Sequence, residues 1–180
     1  MKSTLKPILF AALLVGSSFA YLSCRRPPES TSLNYEVKAM EQGKQGTILF
    51  KVFSYGNTTR QGIDRAKMDA MHAILFKGIP GSNSTRPLVD LSVLEANKKY
   101  FVDFFGGATE INQYSLGYIK IKEGSHEGPY RLYVSESGDG SVEDRLKVNN
   151  MVKVGIPVTV NLDLLRRRLE DDGIIRKFGL

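Results

Sequence analysis

The chain has 180 residues, with 25 Lys and Arg against 19 Asp and Glu for a net charge of +6, 9% aromatic residues and a single cysteine. This size suits one domain with a genuine core, while a lone thiol excludes an internal disulfide framework and a cysteine-built metal cage. The positive charge is too weak and too dispersed to argue for nucleic acid as a partner.

Lys2 and Lys6 lead into an apolar run from Ile8 to Phe19. Its roughly 12 residues suit a secretory signal and fall short of the roughly 18 that a spanning helix needs. Residues 1–23 are therefore read as a signal peptide. The string Tyr21-Leu22-Ser23-Cys24 that follows resembles the lipobox of bacterial lipoproteins in its looser form, with a small residue before the cysteine and the large aliphatic one step late. That resemblance implies acylation of Cys24 by chains such as palmitate and residence in the bacterial cell envelope, the outer membrane favoured over the inner. Two other readings stand at this point. Ser18-Phe19-Ala20 has the small-residue spacing of ordinary signal cleavage after Ala20, and the segment could also be retained as an anchor.

Residues 24–45, with Pro27-Pro28 and scattered Ser and Thr, read as a tether that ends in a loosely placed first strand; Arg25-Arg26 could rest on anionic headgroups. Residues 46–180 are assigned to one α+β domain. Thr47 to Tyr55 is β-branched and aromatic and predicts a strand that stops at Gly56-Asn57. Thr58 with Gln61 forms a capping box, and Ile63, Ala66, Ala70, Ala73 and Ile74 recur at helical spacing, predicting a helix from Thr59 to Lys77 with Gly78 as its stop. Ser92 with Glu95 suggests a second capping box, opening a short inserted helix that runs through Tyr100 to Phe105 and stops at Gly106-Gly107.

The second half changes period. Ser115 to Lys122, Tyr130 to Ser135 and Arg145 to Asn161 predict strands, separated by turns at Gly124 to Gly128 and at Glu136 to Gly140. Pro157 lacks an amide donor, which asks for an edge position or a bulge. A last helix begins near Asn161 with Leu162, Leu165 and Leu169 on one face, Arg166, Arg167 and Arg168 beside it and Gly173 as its stop. The fold expected is a largely antiparallel sheet with two main helices on one face and a short inserted helix.

Three stretches resemble the small envelope lipoprotein domains of the Lpp20 and flagellar T-protein group: Ser54-Tyr55-Gly56, the segment Arg65-Ala66-Lys67-Met68-Asp69-Ala70, and Val158-Thr159-Val160-Asn161-Leu162 followed by Leu165 and Leu169. The likeness covers about Thr47 to Leu169, with Pro80 to Gly107 as an insertion. It implies contact with another envelope component and no catalysis, so no catalytic residue is carried over.

The residues themselves offer little chemistry. His72 lies within the alanine-spaced helix and His126 in a turn, and no pair has the spacing of a zinc site. Asp139 to Asp144 is acidic but lacks the alternating oxygen ligands of a calcium loop. The glycine pairs are helix stops rather than phosphate loops, so neither cofactor nor metal is expected. Four aromatics on one short helix, Tyr100, Phe101, Phe104 and Phe105, exceed what one stripe hides, so these side chains are read as core with any surplus available to a partner. Asn57 and the flank Arg166, Arg167 and Arg168 complete the possible contact residues, the arginines being otherwise a solvated helix flank. A binding lipoprotein is the leading reading. A small-ligand or glycan-binding lipoprotein and a hydrolase with an unrecognised site are its alternatives, and the oligomeric state is left open.

Overall fold

The computed structural model describes residues 35–40, 43–108, 111–112, 128–137 and 144–177. The leader, Cys24, the strand expected at Ser115 to Lys122, His126 and most of the acidic run at Asp139 lie outside these residues. The architecture is α+β: strands β1 (Glu36–Ala39), β2 (Thr47–Gly56), β3 (Val134–Glu136), β4 (Asp144–Val148) and β5 (Met151–Asn161) build one sheet, with helices α1 (Thr59–His72), α2 (Leu91–Ala96), α3 (Lys98–Phe104) and α4 (Leu162–Asp171). Every strand pairing is antiparallel. Glu36–Ala39 belongs to the sheet rather than to a tether, since Val37 pairs with Val52 and Tyr35 beside it is buried. The first strand expected loosely at the end of residues 24–45 is thereby placed at these four positions, where polar residues alternate with apolar ones.

β2 and β5 form the central pair, in register from Thr47 opposite Asn161 to Gly56 opposite Val152. Period-two alternation sorts them into two faces: Ile48, Phe50, Val52 and Ser54 with Val154, Ile156, Val158 and Val160 are buried, while Leu49, Lys51, Phe53 and Tyr55 point the other way and are half exposed. α1 covers the first face. Gly62 permits that approach, since a Cβ there would stand 2.7 Å from Cγ2 of Val154. The alanines expected to line the contact, Ala66, Ala70 and Ala73, are fully buried.

The far edge of β5 is shared by two short strands. β4 pairs with Met151 to Gly155 and β3 with Val158 to Val160. Pro157 falls in the gap: its carbonyl accepts the Ser137 amide at 2.9 Å, and the N–H it lacks would have pointed to the same side. So the proline sits in a central strand without breaking the ladder to β2. Two strand expectations change here. Pro129–Leu132 is a 3-10 turn ahead of β3, and Arg145 to Asn161 is a hairpin turning at Asn149-Asn150, where Asn149 takes a positive φ of 53°.

α1 begins as its cap requires, with Thr58 Oγ1 accepting from the Gln61 amide at 3.2 Å and the Gln61 side chain accepting from the Asn57 amide. Its continuation, Ala73–Lys77, is a π-helical turn. The wider turn frees the carbonyls of Ile74 and Leu75, and the amides of Leu88 and Val89 from the inserted segment donate to them at 3.1 and 2.9 Å. The insert is thereby stitched to the helix by backbone bonds. It breaks at Asn97 into two short helices, and α2 is preceded by Asp90 rather than capped by Ser92. Every residue from Met68 to Phe76 is buried, because the sheet lies on one side of the helix and the insert on the other. All members of the core fall between Tyr35 and Ile174.

Candidate functional site

Four of the residues expected to meet a partner are spoken for inside the protein. Phe101, Phe104 and Phe105 are 0%, 3% and 0% exposed, stacking with Phe76, Tyr130 and Tyr133, so the aromatic insert is core. Tyr100 is half buried, and its hydroxyl donates to Asp172 Oδ2 at 2.7 Å. Arg168 Nε donates to the same carboxylate oxygen at 2.5 Å, which ties α3 to the end of α4. Partial burial pushes the Asp172 carboxyl up, but the bonds from Tyr100 and Arg168 outweigh it and hold the group below its ordinary range. Of the arginine run, Arg167 and Arg168 are exposed and Arg166 is half buried. The fold ties Arg168 to Tyr100 through Asp172, packs Tyr100 against Phe101 and Phe104 and Phe104 against Phe105, and leaves Asn57 exposed at the β2–α1 turn.

A buried polar seam runs between α1 and strands β1 and β2. Asp69, 2% exposed, accepts from Ser54 Oγ at 2.6 Å and from Arg65 Nε at 3.1 Å. One turn on, fully buried His72 fills a slot between Tyr35 and the Asn112 carbonyl. A carbonyl only accepts, so His72 Nε2 carries the proton donated to Asn112 at 2.8 Å, and Nδ1 accepts from the Tyr35 hydroxyl at 2.6 Å. Burial raises the Tyr35 hydroxyl far above its usual range, with the nearby Asp69 charge adding to the effect. Burial likewise raises the Asp69 carboxyl, against the pull of Arg65 and Ser54. Lys77, whose ammonium lies 4.2 Å from the Tyr35 ring centre, is lowered by desolvation. These groups satisfy one another. Sequence spacing places Arg65, Asp69 and His72 on one helix face but gives no sign that Ser54 and Tyr35 meet them from two strands.

The other face of the sheet is the remaining candidate. Phe53 lies flat across β5 at Gly155, where a Cβ would come within 2.6 Å of the ring. Lys153 reaches over both Phe53 and Tyr55, at 5.3 and 5.6 Å from their ring centres. Lys51 pairs with Asp144, and Lys153 with Glu36 at 2.8 Å. Phe53, Asp144, Arg145, Leu146 and Lys153 line a shallow depression of about 330 Å³, and Leu146 is 62% exposed at its rim. Among the described residues, no three His, Cys, Asp or Glu side chains gather as a metal cage. Gly155→Ala is expected to displace Phe53, close this depression and cost about 1–3 kcal/mol, read as a lower denaturant midpoint; an unchanged midpoint would show that the ring gives way freely.

No protein-family model, curated protein or solved structure matches the chain.

Proposed function

We propose that the protein is an exported envelope lipoprotein, held to a membrane leaflet through acylated Cys24, whose one α+β domain works by contact with another envelope component and performs no chemistry. The observation that carries this reading is the contrast between the two faces of the sheet. On the covered side, the groups with the pKa shifts that often mark reactive sites are consumed in bonds to one another. On the uncovered side, Phe53, Tyr55 and Leu146 stand among Lys51 and Lys153 with no element of the described structure over them. Aromatic and aliphatic side chains interleaved with cations, on a rigid central pair of strands, suit recognition.

Among the described residues no helix is long and apolar enough to cross a membrane, so attachment in this reading falls to the leader region. Cys24→Ala is expected to leave thermal stability unchanged while moving the protein from membranes to soluble material or to an uncleaved precursor. A variant that stays mature and membrane-bound would refute the lipid anchor. Intact mass of the protein from native membranes provides the direct check, as residues 24–180 plus acyl chains.

The small-ligand alternative draws on the depression beside Phe53. It predicts ligand-dependent stabilisation of about 2.7 kcal/mol at a hundred times the dissociation constant, which a surface for large partners does not require.

A further inference from the structure

One end of the domain collects features that the core and the buried seam do not use. The chain joins the sheet at Tyr35 beside the C-terminal end of β2, since Glu36 lies opposite Phe53. The β4–β5 hairpin projects at the same end, where Val152 lies opposite Gly56 and Met151, Asn150 and Asn149 extend beyond the end of β2. Along that hairpin Arg145, Leu146 and Lys147 are exposed, as is Arg60 in the first turn of α1, which follows the C-terminal end of β2. Lys153 and Phe53 complete the rim of the depression. The two acids nearby, Glu36 and Asp144, are each neutralised by a lysine across the sheet.

We infer that this end of the domain, the β4–β5 hairpin with Phe53 and Lys153, rests on anionic lipid headgroups. The inference rests on the reading above and deepens it by naming the membrane surface as a component that this end of the domain meets. Three observations select lipid over a protein or a second copy. The first is charge: Arg60, Arg145 and Lys147 are exposed at this end, the last two opposite Val154 and Val152 on the α1 side of the hairpin, while Lys153 and Lys51 balance the acids Glu36 and Asp144, so the described residues leave a positive excess that complements a negative leaflet. The second is the mixture of side chains, since Leu146 and Phe53 set among long cations match the interfacial layer, where apolar bodies sink and charged tips stay with phosphates. The third is reach. Eleven residue steps separate Cys24 from Tyr35, so an anchor at Cys24 would allow Tyr35 at most roughly 40 Å of chain from the leaflet.

The test uses residues 24–180 with Cys24→Ala, a chain that cannot be acylated and keeps every described core residue. It is mixed with vesicles of phosphatidylcholine alone, or of phosphatidylcholine and phosphatidylglycerol in a ratio of about two to one, and sedimented. Binding is expected to the anionic vesicles only and to weaken as salt screens the charges. The double variant Arg145→Ala with Lys147→Ala, both exposed, should keep its melting temperature and lose roughly 30-fold in partitioning, about fivefold for each charge near the surface. Equal binding to both vesicle types, no binding to either, or lipid-independent dimerisation through the hairpin would overturn the inference. Its failure is separable from failure of the anchor. If only the inference fails, acylated protein stays in membranes while the unacylated chain ignores vesicles; if only the anchor fails, native protein lacks acyl mass while the unacylated chain still binds.

Discussion

Phe101→Ala is expected to lower stability by about 3–5 kcal/mol, enough to drop the melting temperature of a domain this size by about 10 °C or more. The ring is fully buried, 5.1 Å from Phe76 and edge-on to it, and it holds the insert against the outer side of the α1 helix. Removing it leaves a cavity beside Phe76 and Tyr100, and Phe76, itself held against Phe105, cannot collapse into the space. The backbone bonds from Leu88 and Val89 to the π-helical turn would then lose the packing that positions them. Thermal unfolding decides the matter. A surface aromatic held ready for a partner would cost well under 1 kcal/mol, so a small effect would return Phe101 to the contact surface.

Asp69→Ala should be of similar size, about 3–5 kcal/mol, because it strands Ser54 Oγ and the Arg65 guanidinium against an apolar gap. Asp69→Asn keeps the shape and is expected to cost less, which makes it the variant for pH work. Burial raises the folded-state carboxyl above its unfolded value despite Arg65 and Ser54. A raised pKa gives a stabilising contribution that is complete below the unfolded carboxylate range and fades as pH climbs through the raised value. The wild type should therefore be strongest relative to Asp69→Asn in acid and lose that advantage toward neutral pH. Urea midpoints of both proteins across this window test the sign. The opposite slope would mean that Arg65 wins over desolvation and holds the carboxylate charged.

How legible this fold was in the sequence depends on how far each signal acts. β2, α1 and α4 announce themselves because their determinants are local: unbroken β-branched residues, a Thr58–Gln61 capping box, and an asparagine cap at Asn161 that accepts from the Leu164 amide at 3.0 Å. β1 was expected only loosely, at the end of the tether, because four alternating residues carry almost no period; the pairing of Val37 with Val52 fixes its place. The Asn149-Asn150 turn was missed since an Asn pair inside a valine-rich run changes the alternation by too little to register, although asparagine tolerates the positive φ found there.

The site was less legible for the same reason. Four aromatics on one short helix suggested a surplus for partners, but the helix is covered on several sides, by Phe76, Tyr130 and Tyr133, from elements distant in sequence. Phe53 and Lys153 attracted no notice because each sits in an ordinary strand pattern. Their meeting over Gly155 depends on the β2–β5 register, which no local motif encodes.

The strand that organises the sheet is also the last one the ribosome delivers. β5 touches β2, β3 and β4, and its longest pairing joins segments about a hundred residues apart in the chain. Until Met151 to Asn161 emerges, β2 has, among the described residues, only the four of β1 beside it, a two-stranded ribbon that is marginal in water. On this topology the described sheet closes only late in synthesis. A translocation channel that accepts only threaded chains would find this timing favourable, since the N-terminus can cross long before there is a domain to jam the pore.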